Sequence, residues 1–141
     1  MSMEKRDYLM QQIEQLGQVL AQMLAFLLGI KNKGEAVLSI DEVRQTYRDQ
    51  LDISLELIQE TPAGSIIEVL TSKVKHMDSH LDKMGDILQE TADLYLRAGD
   101  EQTARELYEK TLVIFEHLQA SGNAFSVERM YKIGQLKTLM E

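Results

Sequence analysis

Two helices with almost no slack between them occupy Leu88 to Phe115, LQETADLYLRAGDEQTARELYEKTLVIF. Before Gly99-Asp100, the inward positions at helical spacing are Leu81, Met84, Leu88, Ala92, Tyr95 and Leu96. After it they are Ala104, Leu107, Tyr108, Leu112 and Phe115, flanked by Ile114 and Leu118. Apolar residues three and four apart line one side of a helix. So short a turn forces the two helices to lie antiparallel as neighbours. Ala92 and Ala104 are small where the two must approach most closely. The remaining chain has to cover the outer faces of this hairpin, and that limits it to a helical array.

Helix is favoured nearly everywhere else. There is one proline in 141 residues, and Leu, Glu, Gln, Met and Lys are abundant. The first helix is expected over residues 4–30. Leu9, Ile13, Leu16, Leu20, Met23 and Leu27 form a heptad seam along it. The seam either enters the chain's own core or pairs with a second copy. Length argues for pairing, because 26 residues would extend roughly 39 Å at 1.5 Å per residue. Lys31-Asn32-Lys33-Gly34 supplies C-terminal cations and a glycine stop.

The middle helices are expected within residues 35–78. Ser39-Ile40-Asp41-Glu42 reads as a capping box opening a helix that runs to about Gln59, with Val43, Tyr47, Leu51, Leu55 and Ile58 inward. Thr61-Pro62 reads as the N-cap and first residue of a short helix through Ile66, Ile67, Val69 and Leu70. Between Thr71 and Ser79 we expect a break, with Ser79 and Asp82 opening the next helix and Met77 as its staple. Residues 79–141 then hold the hairpin and a final helix, from about Ala124 to Met140, carrying Val127, Met130, Tyr131, Ile133, Gly134 and Leu136.

Side chains that could do chemistry are few. His76 and His80 are four apart with Asp78 and Asp82 close by. On one continuous helix the pair could ligate zinc and make a helical metalloenzyme. A break there removes the shared face. Glu56, Glu60, Asp82, Asp86 and Asp93 have no histidine or nucleophile at a telling spacing, so they read as a solvated charged face. No phosphate loop or HExxH is present, and the expectation is no enzyme, no cofactor and no metal. A small apolar pocket beneath Met-rich helices would instead make a ligand-sensing regulatory domain.

The net charge of −8 repels phosphate, which argues against nucleic acid and anionic membrane. Residues 1–33 carry a net +1, so the rest carries −9. The chain has no cysteine, which fits a cytoplasmic setting. Residues 4–7, followed by Gln-rich amphipathic sequence, do not read as a signal peptide. The most apolar run, Val19 to Ile30, is about twelve residues against about twenty for a membrane span, so no membrane insertion is expected.

Leu88–Phe115 resembles a tetratricopeptide repeat. Ala92 and Tyr95, the Gly99-Asp100 turn, and Ala104 and Tyr108 match the pattern at its spacing. Thr111 stands where alanine is usual, Leu88 replaces the opening aromatic, and the closing proline is missing. Ile133-Gly134 fits the small position of a lengthened second repeat. The resemblance implies a protein-binding or scaffold role. It places Gln89, Asp93, Leu96 and Arg97 on the binding face, with Tyr131 and Gln135 on the following helix, unless the N-terminal helices cover them. Asp93 would repel a peptide carboxylate, so the implied partner is a basic or apolar helix. The opening EKRDYLMQQIEQLGQVLAQML is also similar to that of small bacterial helical proteins, a likeness that implies no particular activity. Together these observations lead us to expect an all-α, repeat-like antiparallel array of about six helices. Its expected role is a non-enzymatic protein-interaction or scaffold module, with the first helix as a homodimer element.

Overall fold

The computed structural model describes residues 2–33, 36–121 and 125–141. The fold is all-α. Among the described residues there are seven α-helices and no strand. The helices are α1 (Ser2–Lys33), α2 (Ala36–Leu51), α3 (Leu55–Glu60), α4 (Ile66–Lys73), α5 (Leu81–Arg97), α6 (Glu101–Ser121) and α7 (Val127–Leu139). Short 3-10 turns at Ala63–Ser65 and Met77–His80 lead into α4 and α5.

The α5–α6 hairpin is the centre of the molecule, and its turn is built by the two residues that marked it. Gly99 takes φ +90, where a side chain would be strained. Its N–H donates to the Leu96 carbonyl at 3.1 Å, and the Asp100 N–H donates to the Tyr95 carbonyl at 2.9 Å. This pair of bonds satisfies carbonyls that the end of α5 would leave open. Asp100 then opens α6, its Oδ1 accepting the Thr103 N–H at 3.1 Å. Ala92 and Ala104 are both buried. Thr111 is also fully buried, and its hydroxyl donates to the Leu107 carbonyl at 2.9 Å. A small hydroxyl satisfied within its own helix therefore serves where alanine was expected.

α1 and α2 cover α5, and one core cluster draws side chains from all seven helices. Tyr47 of α2 is the largest fully buried side chain, and its hydroxyl meets Thr91 Oγ1 of α5 at 2.7 Å. Because Thr91 donates to the Ile87 carbonyl at 2.7 Å, Tyr47 is the donor of that pair.

Local signals in the middle helices were overruled. α2 begins at Ala36, so Ser39 lies inside the helix and is buried rather than capping it. The helix expected to reach Gln59 stops at Leu51. Asp52 takes φ 52, and Ser54 caps a separate α3 by accepting the Leu57 N–H at 3.0 Å. The cause is burial. Leu51, Ile53 and Leu55 all enter the core, and on one continuous helix Ile53 would point away from the other two. Thr61 serves the end of α3 and not the start of α4, its hydroxyl donating to the Leu57 carbonyl at 2.6 Å. The expected break between Thr71 and Ser79 is present. α4 ends at Lys73, and His76 adopts a left-handed φ of 69. Ser79 does not cap α5; His80 occupies that position without a capping bond, because its ring is committed to α1. The start expected at Ala124 lies outside the described residues. Ser126 caps α7 by accepting the Arg129 N–H at 3.0 Å.

The seam of α1 is divided. Leu20, Met23 and Leu27 are buried in the chain's own core. Residues 4–11 are exposed, and Ile13 and Leu16 are half-buried. Three bonds hold the transition: His80 Nε2–H to the Ile13 carbonyl at 2.6 Å, His76 Nε2 with Gln12 Oε1 at 3.0 Å, and Lys83 Nζ to the Gly17 carbonyl at 3.3 Å. Gly17 permits the first, since a Cβ there would lie 3.0 Å from His80 Cε1. The stretch Glu4–Lys33 is long and apolar enough to cross a membrane by length and composition, an 18-residue window within it having mean hydropathy 1.4. The twelve-residue run understated it, and 28% of that window is buried inside the fold.

Candidate partner-binding groove

α5 carries Asp82, Asp86, Glu90 and Asp93 at spacings of four, four and three, which puts all of them on one side of the helix. Other elements answer this ladder with cations. Arg129 of α7 holds Asp82 with two bonds, Nε to Oδ1 at 3.1 Å and an η-nitrogen to Oδ2 at 3.2 Å. Lys132, also on α7, donates to Asp86 Oδ1 at 2.8 Å and lies 5.5 Å from the centre of the Phe115 ring. Lys31, at the end of α1, reaches both Asp93 Oδ2 at 2.9 Å and Glu90 Oε2 at 3.2 Å.

Near Glu90 and Asp93 the helices separate into a groove of about 830 Å³. Lys31, Gln89, Glu90 and Asp93 form its polar side, and Met130, Tyr131, Gly134 and Leu139 form most of the α7 wall. Beside Gly134 nothing lies within 4 Å of where a Cβ would be. The Tyr108 hydroxyl donates to Asp93 Oδ1 from beneath. Bonding to Asp93 raises the Lys31 amine above its usual value even though partial burial opposes it. Burial raises the Glu90 carboxyl, and the neighbouring Asp93 charge raises it further. Burial, followed by the bond to Asp93, pushes the Tyr108 phenol well above the usual range. At Lys132 burial lowers the amine, but Asp86 and Glu128 outweigh it and the net shift is upward.

Of the residues singled out by the repeat resemblance, Gln89, Asp93, Tyr131 and Gln135 line this one groove. Leu96 does not. It is exposed rather than inward and borders an adjoining cleft of about 450 Å³ with Tyr108 and Leu139. Arg97 is exposed and donates to the Lys31 carbonyl, tying the ends of α1 and α5 together. Lys31, Glu90, Met130 and Leu139 were not singled out. The acidic spacing on α5 was visible, but nothing in the sequence set Lys31 against it. α7 is shallowly seated: Leu136 is its only fully buried residue among the described ones, while Val127, Met130 and Tyr131 are 68%, 51% and 67% exposed.

His76 and His80 do not share a helix face, and each Nε2 is engaged with α1. Among the described residues no three His, Asp or Glu side chains converge as a metal site would need. Of the proposed dimer seam, Leu20, Met23 and Leu27 face inward, which leaves Leu9, with Ile13 and Leu16 in part, available to a second copy. Comparison with protein-family models, with curated proteins and with solved structures found no match.

Proposed function

We propose that this chain is a non-enzymatic interaction module, tetratricopeptide-like in its α5–α6 hairpin, that holds a helical segment of another protein in the groove between α5 and α7. The observation carrying this reading is the apolar α7 wall. Met130, Tyr131 and Leu139 each leave half or more of their surface in solvent beside a polar floor. Contiguous exposed apolar surface rimmed by polar groups is characteristic of binding sites. The open space at Gly134 allows the backbone of a second helix to come close.

A photo-crosslinking residue at Gln135 in the full chain tests this in cells. We expect a discrete crosslinked protein that is absent with the probe at exposed Glu109 and lost with Tyr131→Ala. Equal crosslinking from both positions would defeat the reading.

A second reading, self-association through α1, is favoured by Tyr8, Leu9 and Met10, which are exposed on its first turns. Light scattering should then report twice the 16.1 kDa of one chain, and Leu9→Glu should return it to that mass. A 16.1 kDa species at micromolar concentration would dismiss self-association and leave the groove reading intact.

A further inference from the structure

The identity of the groove's occupant can be read from the acidic ladder, an inference that rests on the groove being a docking site. At its lower end each carboxylate of the ladder has its own cation: Asp82 has Arg129, and Asp86 has Lys132, which also pairs with Glu128 of α7. At its upper end Glu90 and Asp93 share the single amine of Lys31. That leaves one carboxylate charge uncompensated against the groove.

α7 itself shows what the ladder accepts. It lies on α5 as a basic helix, with Arg129 and Lys132 three apart on the carboxylates and Leu136 inserted one turn later. At the level of Glu90 and Asp93, α7 supplies Tyr131, Gly134 and Gln135 and no cation. Its remaining lysine, Lys137, is exposed. We infer that the groove takes a basic amphipathic α-helix of another protein, whose Lys or Arg meets Glu90 and Asp93 and whose apolar side chains lie on Met130, Tyr131 and Leu139. The charge of −8 over the whole chain draws such a helix in before contact. Apolar contact with α7 then supplies the part of the affinity that salt does not screen. Burial and the Asp93 charge disfavour the charged form of Glu90, and a second cation would favour it.

Three labelled peptides of one amphipathic helical design test this against the full chain by fluorescence anisotropy. One carries lysines three and four apart, one has glutamines at those positions, and one has glutamates. We expect the lysine peptide to bind at least tenfold tighter than the glutamine peptide at low salt, with the gap narrowing at high salt. The glutamate peptide should not bind. Asp93→Asn should weaken the lysine peptide about tenfold. Because Asp93 also holds Lys31 and Tyr108, Gln89→Lys and Gln135→Lys provide the same test on residues that make no such bonds. Tyr131→Ala should weaken the lysine and glutamine peptides alike.

Equal binding of these two peptides, still sensitive to Tyr131→Ala, would overturn the basic partner and keep the groove. Lysine-peptide binding indifferent to Gln89→Lys, Gln135→Lys and Tyr131→Ala would place the contact elsewhere on the acidic surface and overturn the proposal. If no peptide binds while the Gln135 crosslink forms, this inference alone falls. If the crosslink also fails, the docking reading falls with it.

Discussion

A Cβ added to Gly85 would lie 2.5 Å from Cε1 and 3.0 Å from Cζ of Phe115. The hairpin therefore closes around a glycine on α5 and a ring on α6 that is 1% exposed. Alanine is the better helix former by about 1 kcal/mol, so the usual expectation for Gly85→Ala is a gain. Here the buried ring cannot withdraw, and overpacking of this kind costs roughly 1–3 kcal/mol. We expect a net loss of stability in urea unfolding. Gly29→Ala, with nothing within 4 Å, should be neutral or stabilising. A Gly85→Ala protein as stable as the parent would mean that the contact is not a constraint.

The Tyr47–Thr91 pair should respond asymmetrically. Thr91→Val leaves a fully buried phenol hydroxyl without an acceptor and should cost about 1–3 kcal/mol. Tyr47→Phe leaves Thr91 still donating to the Ile87 carbonyl and should cost about 1 kcal/mol. The double variant should cost less than the sum of the two. Equal single costs, or strict additivity in denaturant titrations, would contradict the bonding described.

Alkaline pH should unfold this protein through groups that the fold keeps protonated. Burial raises Tyr47 and Tyr108 above the ordinary 10.0, and the bond to Asp93 raises Lys31 above 10.5. A folded pKa above the unfolded one means that the native state binds more protons in between. That stability is fully present below the unfolded value and is lost as pH rises toward the folded value. Lys110 acts with the opposite sign. Burial lowers its amine, so it opposes folding while charged and ceases to do so as pH rises. Lys132, raised overall by Asp86 and Glu128, joins the first three, and four groups of one sign against one should make stability fall above about pH 10, the ordinary tyrosine value. Tyr47 and Tyr108 should form phenolate only together with unfolding. Phenolate absorbance complete before any loss of helical circular dichroism would refute this.

α7 should be the first helix to open. Its ion pair to Asp82 is open to solvent on the carboxylate side, Asp82 being 60% exposed, which limits what that pair contributes. Leu136 is its one fully buried anchor among the described residues. In hydrogen exchange, α7 amides should exchange well before those of α5 and α6. Leu136→Ala, at about 2–5 kcal/mol for a buried leucine, should release α7 while the hairpin stays protected. Equal protection of α7 and α5 would count against this reading.

The α5–α6 hairpin was legible because its determinants are local. Gly99 and Asp100 satisfy both helix ends within a few residues, and the small Ala92 and Ala104 fall at helical spacing. The break near His76 was legible as weakness, although Ser79 was the wrong cap. The split at Asp52 was less visible. Its signal, Ile53 standing opposite the Leu51–Leu55 stripe, carries weight only once both sides are known to be buried. The groove was half legible. Gln89, Asp93, Tyr131 and Gln135 were found together, but Lys31 and Glu90 were not.

Sequence alone determined the all-α class and the central hairpin, because periodicity and turn chemistry act over a few residues. Tertiary structure decided where the α1 seam passes from core to solvent, which hydroxyls cap and which are buried, and which cation meets which carboxylate. Those outcomes depend on what lies opposite a side chain. Lys31 and Asp93 stand 62 residues apart in the chain, and no local pattern records that they will meet.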